Sequence, residues 1–178
     1  DFLTHVYSRS GLYEALKHEE TYRHTRFLTV MLLDIDYFKS INDNYGHECG
    51  DRVLASFARQ VQQVVGEDGM VARMGGEEFA VVVNSGDAQH GFELAERIRS
   101  TVAGHPFTWR HQTLYLTVSI GLGSGKAETW QLTEVFNKLM TEADDHLYRS
   151  KKAGRNRTSA RVADEHITAA TGHETELR

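Results

Sequence analysis

The sequence predicts a mixed α/β (α+β) fold, in which helices flank a central, mostly antiparallel sheet of five strands. Apolar runs rich in β-branched residues alternate along the chain with stretches whose apolar residues recur at helical spacing. Two of the strand-like runs flank Gly75-Gly76, a pattern typical of a tight hairpin. The 178 residues are 40% hydrophobic and 25% charged, which fits one globular domain with a sizeable core.

In the first half of the chain, a helix over Ser10–His24 is predicted to precede a strand over Phe27–Asp36. This run, FLTVMLLDID, is apolar until its last residues, so we expect a buried central strand that ends at Asp34 and Asp36. Turn-forming residues fill the second half of the next segment, Tyr37–Gly50.

Asp51 is predicted to begin the next helix, because an aspartate is a good N-cap. Apolar residues then recur at helical spacing and define an inward face. These residues are Leu54, Phe57, Val61 and Val64.

The residues on either side of the glycine pair are predicted to form two antiparallel strands, Met70–Met74 and Glu77–Val83. In the second strand, alternation divides the side chains between two faces. Phe79, Val81 and Val83 belong to one face, and Glu78, Ala80 and Val82 to the other.

Three further elements follow, namely an amphipathic helix (Phe92–Val102), a β-branched strand (Thr113–Gly123) and a long helix (Leu132–Gly154). The long helix has basic residues in its last turn and a glycine after it, and both features favour its end at Gly154. We expect residues 1–158 to form the domain and residues 159–178, which are polar and mixed, to form a mobile tail.

Composition excludes several classes of protein. A net charge of -5 and a pI near 6.1 argue against a general nucleic-acid binder but leave room for a local pocket that binds a small anion. The single cysteine, Cys49, excludes an internal disulfide framework and fits a reducing compartment. Ten histidines without zinc-ligand spacing indicate no transition-metal site, and we expect neither a membrane span nor a signal peptide.

Two pairs of acidic residues and one pair of basic residues stand out as candidates for chemistry. If the hairpin lies beside the first strand, its acidic pair converges with the pair that ends that strand. Clustered carboxylates repel one another unless a cation lies among them, and Mg²⁺ binds one or two carboxylates together with substrate phosphates. Nearby basic side chains would then contact those phosphates. The three pairs are Asp34 with Asp36, Glu77 with Glu78, and Lys151 with Arg155.

The simpler alternative is that each of these charges is solvated. For Asp36 alone we favour this alternative, and for Lys151 and Arg155 it is an even choice, because a helix C-terminus favours cations. The alternative is weaker for Glu77 and Glu78, because glutamate has poor β-propensity and one of two adjacent strand residues should face inward.

The glycine-pair motif and four further ordered motifs resemble the GGDEF family, the diguanylate cyclases. Gly75-Gly76-Glu77-Glu78-Phe79 resembles the signature that names the family, and the opening DFLTHVYSRSGL resembles its DxLTGLxNRxxL motif. LDIDYFKSINDNYGHECGD, SIGLG and ADDHLYRSKKAGRNR resemble the family's metal and guanine segment, closing strand and closing helix. The resemblance covers residues 1–158.

The resemblance implies a palm-like architecture, similar to nucleotide cyclases and polymerases, and condensation of two GTP molecules into cyclic di-GMP with release of pyrophosphate. Each protomer of a transient homodimer would contribute half of the active site, with two Mg²⁺ or Mn²⁺ ions for each GTP. Asp34, the carbonyl of Ile35, Glu77 and Glu78 would hold the metal ions. Glu77 is also the candidate for activating the ribose 3′-hydroxyl, and Lys39 would stabilise charge in the transition state.

The same resemblance implies the contacts to GTP. The backbone at Phe38 and Lys39 would bind phosphates, Lys151 and Arg155 would contact the terminal phosphates, and Arg73 would add a further phosphate contact. Asn42 and Asp51 would bind guanine, because a carboxylate accepts from both N1–H and the 2-amino group, whereas adenine would leave a buried Asp51 unpaired. Leu54 would line the base pocket and His47 belongs to the same motif, although core packing and loop structure are the simpler roles for these two residues.

The sequence departs from the family pattern at two places. The inhibitory Arg-x-x-Asp motif is absent, because its positions hold Gly66-Glu67-Asp68-Gly69, so we expect no product inhibition there. In the opening motif His5 and Val6 replace Gly-Leu and Ser8 replaces Asn, which bears on regulatory coupling more than on chemistry.

Two alternatives to an active cyclase remain open, a catalytically silent GTP-binding sensor or scaffold and a cyclase with a hybrid or mononucleotide product. The intact set of acidic residues counts against the first alternative, and Asp51 counts against relaxed base choice in the second. We expect the domain to lie in the cytoplasm, and we expect an upstream sensory or regulatory part outside this chain.

Overall fold

The computed structural model describes residues 1–20, 25–162 and 165–170 of the chain, and these residues form one large sheet covered by helices on both faces. The helices are α1 (Arg9–Glu19), α2 (Phe38–Tyr45), α3 (His47–Val65), α4 (Ala88–Gly104) and α5 (Leu132–Lys152). The strands are β1 (Tyr7–Ser8), β2 (Thr25–Ile35), β3 (Gly69–Gly75), β4 (Glu78–Asn84), β5 (Phe107–Trp109), β6 (Gln112–Leu114), β7 (Val118–Glu128), β8 (Arg157–Val162) and β9 (Glu165–Ala170).

The large sheet has the strand order β1-β3-β4-β2-β7-β8-β9, and β5 and β6 form a separate hairpin. Its pairs are antiparallel except β1 with β3 and β7 with β8. The predicted α/β class and mostly antiparallel sheet are therefore confirmed, but the number of five strands was wrong. The sheet has seven strands, of which β2, β3, β4 and β7 correspond to the strands located in the sequence. The other three are the two-residue β1 and the C-terminal strands β8 and β9, which carry no apolar alternation that would have identified them.

A strand crosses the domain boundary that we predict at residue 158. Strand β8 continues to Val162 and pairs with β7, and Thr158 and Ser159 are fully buried within it. A buried polar pair in a strand is invisible to a search for hydrophobic periodicity. The remaining part of the predicted mobile tail includes residues 163–164 and 171–178, which lie outside the described residues.

Three predicted element boundaries were wrong. Helix α3 begins at His47, after Gly46 at a φ of +88°, so Asp51 lies inside the helix and is not its N-cap. The predicted strand over Thr113–Gly123 is divided, because β6 ends at Leu114 and β7 begins only at Val118. The first helix ends at Glu19, and the rest of its predicted range includes residues 21–24, which are not described.

The core lies on both faces of the sheet. One cluster includes the side chains of β4 that α3 and α4 cover, and the other includes those that α1 and α5 cover. Phe79, Val81 and Val83 are in the first cluster, whereas Ala80 and Val82 are in the second, so the predicted alternation along β4 is confirmed. Phe57 of α3 packs on Phe79, with ring centroids 5.0 Å apart.

Helix α5 approaches β7 closely because two glycines of the SIGLG stretch face it. A Cβ atom at Gly121 would collide with the backbone of Leu147 and Ala143, and one at Gly123 would collide with the backbone of Leu139. The absence of a side chain at these two positions therefore sets the distance between the helix and the sheet. None of the helices in the described part of the chain is long and apolar enough to cross a membrane.

Candidate active site

Two predicted acidic residues lie directly opposite each other at one edge of the sheet. Asp34, near the end of β2, is paired with Glu78 at the beginning of β4. Lys151, in the last turn of α5, donates a hydrogen bond from Nζ to Oδ2 of Asp34 over 2.7 Å. The close packing of α5 on β7 places this ammonium group over the sheet edge. The structure thus brings together three residues that are far apart in the sequence.

Ionisation of the Asp34 side chain is less favourable than that of an exposed aspartate. Burial raises its pKa above the ordinary range, the hydrogen bond and the charge of Lys151 oppose this shift, and the carboxylates of Glu77 and Asp36 add to it. A carboxylate in this position favours a cation beside it, because a cation offsets both burial and repulsion.

The pKa of Glu78 is also raised, first by burial and then by the charges of Asp34 and Asp144, while Lys151 and Arg9 act in the opposite direction. The donors that converge here are hard oxygens, which suit Mg²⁺ or Mn²⁺. In the described ranges no group of three or more His, Cys, Asp or Glu side chains is arranged to hold a metal ion. Such a group is not required, because Mg²⁺ is usually bound by one or two carboxylates, with substrate phosphates completing its shell.

The turn between β3 and β4 directs Glu77 toward the same edge. Gly76 adopts a φ of +53°, which suits a glycine, and the pairing of the two strands shifts register between Arg73 and Gly75. Nε of Arg73 donates to the carbonyl of Gly76 over 2.9 Å, and the N–H of Ile35 donates to the carbonyl of Glu77 over 3.4 Å. The hairpin tip is therefore fixed to β2 by its backbone, with the half-buried Glu77 side chain free to take part in binding.

A cleft of about 390 Å³ opens beside this hairpin, between it and helices α2 and α3. Most of the predicted substrate-binding side chains line this cleft, so the structure places them together. The lining residues are Phe38, Lys39, Asn42, His47, Asp51, Leu54, Arg73, Gly76 and Glu77.

The buried Leu54 forms part of both the cleft wall and the core, so packing and base contact are compatible roles for it. Asp51 is exposed at the cleft wall, whereas we expected it to be buried. His47 is also exposed, at the first residue of α3.

Gly50 positions Asn42 within this cleft, which the sequence did not predict. A Cβ atom at Gly50 would collide with Oδ1 of Asn42 and would lie 3.2 Å from the ring of Phe38. Gly50 is fully within α3, where a glycine is otherwise unfavourable. A glycine inside a helix was therefore the one feature of the sequence that could have indicated a close contact at this position.

The N-terminus of α2 forms another wall of the site. Tyr37 precedes the helix in a left-handed conformation, with a φ of +56°, and its ring is exposed. The first N–H groups of a helix have no partner within the helix, so those of Phe38 and Lys39 are suited to an anion. The guanidinium of Arg155 lies 4.8 Å from the centroid of the Tyr37 ring, outside the cleft lining but beside this helix terminus.

Asp36 is not solvated, contrary to the alternative that we favoured for it. Its side chain is 5% exposed and accepts hydrogen bonds from the hydroxyls of Thr117 and Ser119 and from the backbone N–H of Asn156. The sequence could not predict this arrangement, because all three donors are more than 80 residues away along the chain.

Comparison with known proteins establishes the family. The model of the diguanylate cyclase GGDEF domain matches residues 1–157, so the chain belongs to the GGDEF family. A probable diguanylate cyclase, DgcF of Escherichia coli K12, is 68% identical over 159 residues, which are 89% of this chain and 50% of that protein. The diguanylate cyclase DgcP of Pseudomonas aeruginosa is 36% identical over 159 residues, 88% of this chain and 23% of that protein. The chain therefore spans half or less of the length of these two relatives.

Solved structures share the fold. The GGDEF domain of DgcB from Caulobacter crescentus, in complex with c-di-GMP, matches with a TM-score of 0.76 and 32% identity, over 90% of this chain and 94% of that chain. Diguanylate cyclase SiaD from Pseudomonas aeruginosa, in complex with its activator SiaC, matches with a TM-score of 0.80 and 30% identity, over 90% of this chain and 61% of that chain. The active GGEEF domain of a diguanylate cyclase from Vibrio cholerae matches with a TM-score of 0.66 and 33% identity, over 78% and 85%. The resemblance inferred from these sequence motifs is thus confirmed.

Proposed function

We propose that this domain condenses two GTP molecules into cyclic di-GMP and releases pyrophosphate. The observation that carries the proposal is the convergence of the cleft with the carboxylates of Asp34 and Glu78, which lie opposite each other on β2 and β4. Glu77 belongs to the cleft lining and its charge also acts on Asp34, so a nucleotide in the cleft would place its phosphates beside these acidic residues. GTP as substrate and cyclic di-GMP as product fit the family to which the chain belongs.

Guanine would lie between α2 and α3, where Asn42 and Asp51 offer acceptors to its donor edge and Leu54 packs on the base. The phosphates would extend toward the N-terminus of α2, with Lys39 beside them. Arg73 from the hairpin, and Lys151 and Arg155 from the end of α5, would supply the remaining positive charge. His47, exposed at the first residue of α3, lines the guanine end of the cleft.

Diguanylate cyclases of this family depend on divalent metal ions in general. Asp34, the carbonyl of Ile35, Glu77 and Glu78 are the groups that would hold two Mg²⁺ or Mn²⁺ ions for each GTP. Such ions supply charge neutralisation at the phosphates and a lowered pKa for a bound hydroxyl.

In the reaction, a bond forms between the ribose O3′ of one GTP and the α-phosphorus of the other, and the bond from that phosphorus to the bridging oxygen of pyrophosphate breaks. The hydroxyl proton leaves as O3′ attacks, and Glu77 is the carboxylate proposed to accept it. Lys39 stabilises the charge that develops on the phosphoryl oxygens. Lys151 and Arg155 hold the departing pyrophosphate.

Two such bonds close the ring, so two half-sites must face each other. Orientation supplies a large part of the rate when both reactants are held in line, which is why we propose a transient homodimer. An upstream sensory part of the full protein would supply proximity as effective concentration. Because GTP is made and used in the cytoplasm, we place the domain there.

The proposal is tested by incubating the protein at high concentration with Mg²⁺ and GTP, with and without ATP, and identifying the products. Cyclic di-GMP formation that rises faster than linearly with protein concentration is expected. Tight GTP binding without turnover would instead favour the catalytically silent sensor or scaffold. A hybrid product in the presence of ATP would favour the cyclase of relaxed base choice.

Glu77→Gln identifies the acidic residue that matters most. Turnover should fall by about 10²- to 10⁴-fold, the range of a lost general base, while the fold is retained because Glu77 lies at a half-buried hairpin tip. Glu14→Gln, on the exposed face of α1, is the matched control and should leave turnover unchanged. Equal activity in the two variants would remove Glu77 from the mechanism.

A further inference from the structure

Asp36 is a buried carboxylate that the proposed reaction does not use. Both of its oxygens are engaged, Oδ1 with the hydroxyl of Ser119 over 2.6 Å and Oδ2 with the hydroxyl of Thr117 over 2.7 Å. Oδ2 also accepts the backbone N–H of Asn156 over 3.0 Å, and the N–H of Asp36 donates to the carbonyl of Thr117 over 3.0 Å. Burying a charged group is unfavourable unless it is well hydrogen-bonded, and these partners meet that requirement.

The segment that Asp36 holds is strained. Gly154, Arg155 and Asn156 follow α5 with φ angles of +119°, +65° and +46°, and residues other than glycine adopt such angles rarely. Strained residues persist where the surrounding contacts over-determine them. The N–H of Arg155 donates to the carbonyl of Ser150 over 2.9 Å, and the N–H of Asn156 donates to Asp36.

The side chain of Asn156 is held as well. Its Oδ1 accepts a hydrogen bond of 3.3 Å from Nη1 of Arg99, a buried guanidinium on α4 that also binds Glu96 over 2.8 Å. The backbone of Arg155 is therefore held by its own hydrogen bond to Ser150 and by the contacts of the next residue, Asn156. Its own side chain is left to extend over the ring of Tyr37.

Tyr37 follows Asp36 directly and precedes the first residue of α2, in a left-handed conformation. One carboxylate thus joins the loop that starts the phosphate-binding helix to the loop that carries Arg155, which lies about 120 residues further along the chain. The hydrogen bond from Asn156 to Asp36 therefore helps to set the spacing of the α2 N-terminus and the Arg155 guanidinium, together with the contact between Arg155 and the Tyr37 ring.

We infer that Asp36 is a positioning residue, which sets the distance between the α2 N-terminus and Arg155 and thereby shapes the site for the β- and γ-phosphates of GTP. The inference rests on the proposed function. It assigns to Asp36 a selective effect on the phosphate end of the substrate, with the guanine end between α2 and α3 unaffected.

The test compares two nucleotides that share guanine but differ in phosphates. Binding of GMP and of the α,β-methylene analogue of GTP, which keeps three phosphates but cannot release pyrophosphate, is measured by calorimetry in Mg²⁺ for wild type, Asp36→Ala and Asp36→Leu. Leucine keeps the branched shape of aspartate without an acceptor, so it carries the test if the alanine variant does not fold. We expect both variants to lose about tenfold or more in affinity for the analogue while their GMP affinity stays within about twofold.

Asp36→Asn should retain most of the wild-type preference for the analogue. Its amide oxygen can accept from Asn156 and Thr117 while the amide nitrogen donates to the Ser119 hydroxyl, which is free to rotate. Asp145→Leu on the exposed face of α5 is the control for an apolar substitution.

A double-mutant cycle tests whether the effect passes through Arg155. In an Arg155→Ala background, Asp36→Leu should change the affinity for the analogue by less than about twofold, because the group that it positions has been removed. Parallel losses for GMP and the analogue, or unchanged binding of both, would overturn the positioning role alone. Wild-type protein that binds neither nucleotide would overturn the proposed function and this role with it.

Discussion

Nζ of Lys151 lies 2.7 Å from Oδ2 of Asp34, so an ammonium group and a metal ion would compete for the same carboxylate oxygen. Lys151→Met should therefore bind Mn²⁺ more tightly in the absence of nucleotide, and should bind GTP about 10- to 100-fold more weakly, because the proposed charged contact to phosphate is lost. The Mn²⁺ affinities of the variant and of wild type are compared by titration, with free and bound Mn²⁺ distinguished by electron paramagnetic resonance.

The same variant leaves a buried carboxylate without its cation. Its melting temperature should fall without divalent ions and recover when Mg²⁺ is added, since a ligand that binds only the folded state stabilises it. Lys152→Met is the matched control, because the neighbouring Lys152 is exposed and lies over the Tyr148 ring. A metal-free melting temperature equal to that of the control would show that Lys151 does not compensate Asp34.

Glu78 should reduce the stability of the metal-free domain as the pH rises. The pKa of its carboxyl is raised in the folded state above its ordinary value of 4.5, so the folded state binds the proton more tightly than the unfolded state does. Ionisation is therefore unfavourable to folding, and stability should decrease as the pH rises from 4.5 through the raised pKa.

Glu78→Gln removes this effect. The variant should melt at a higher temperature than wild type at pH 8 without divalent ions, with a smaller difference near pH 5, and it should be less active. Thermal unfolding at the two pH values measures the difference, and Glu14→Gln should follow wild type at both. A variant less stable than wild type at pH 8 would contradict the sign of this argument.

Gly50→Ala should disturb the end of the cleft where we propose that guanine binds. The added methyl group collides with Oδ1 of Asn42, so this amide must turn away from the cleft. We expect the KM for GTP to rise roughly tenfold, the effect of about one lost hydrogen bond, with a melting temperature near that of wild type because alanine favours a helix. Gly104→Ala at the end of α4, where a Cβ atom meets nothing within 4 Å, is the control. An unchanged KM would show that Asn42 does not bind the base.

Gly121→Ala should lower the stability of the folded domain. Its methyl group would meet the backbone of Leu147 and Ala143, which cannot move without shifting α5 as a whole. We expect a loss of about 1–3 kcal/mol in the free energy of unfolding, the usual result of overpacking, measured by urea denaturation. Gly125→Ala on the same strand, where the nearest atom is 3.7 Å away, should lose much less.

The sequence predicted the elements whose residues carry a clear period or an ordered motif. The alternation of Phe79 to Val83 gave the two faces of β4 correctly, because side chains of a strand must alternate. The start of α3 was placed four residues late, at Asp51, because a good capping residue inside a helix has the same local signature as one at its end. Local preference cannot distinguish the two positions without the packing of α3 against the sheet.

The roles that sequence reasoning missed depend on contacts between distant segments. Asp36 looked like an ordinary solvated strand end because its partners on β7 and after α5 are known only from the fold. Likewise, the need for glycine at position 50 is explained only by its contact with Asn42 on the preceding helix. Strands β1 and β8 are fixed by parallel pairing with β3 and β7, which no local pattern indicates.

Product inhibition at the position of the missing Arg-x-x-Asp motif is expected to be absent, for reasons of charge as well as sequence. A small cavity of about 200 Å³ adjoins this position, and its charged lining residues are Glu19, Glu67, Asp68 and Arg26. Arg26 is already paired with Glu19 over 3.0 Å, so an anionic dinucleotide would meet mainly negative charge.

The backbone also opposes restoration of the motif. Gly66 has a φ of +67°, and a Cβ atom at Gly69 would collide with Val65 and Val83, so Gly66→Arg with Gly69→Asp should destabilise the domain and not install feedback. Initial rates measured across GTP concentrations should therefore show no non-competitive inhibition by added cyclic di-GMP. Inhibition that vanishes at high GTP reflects product in the active site and agrees with this expectation, whereas inhibition that persists at saturating GTP and is relieved by changing residues 66–69 would contradict it.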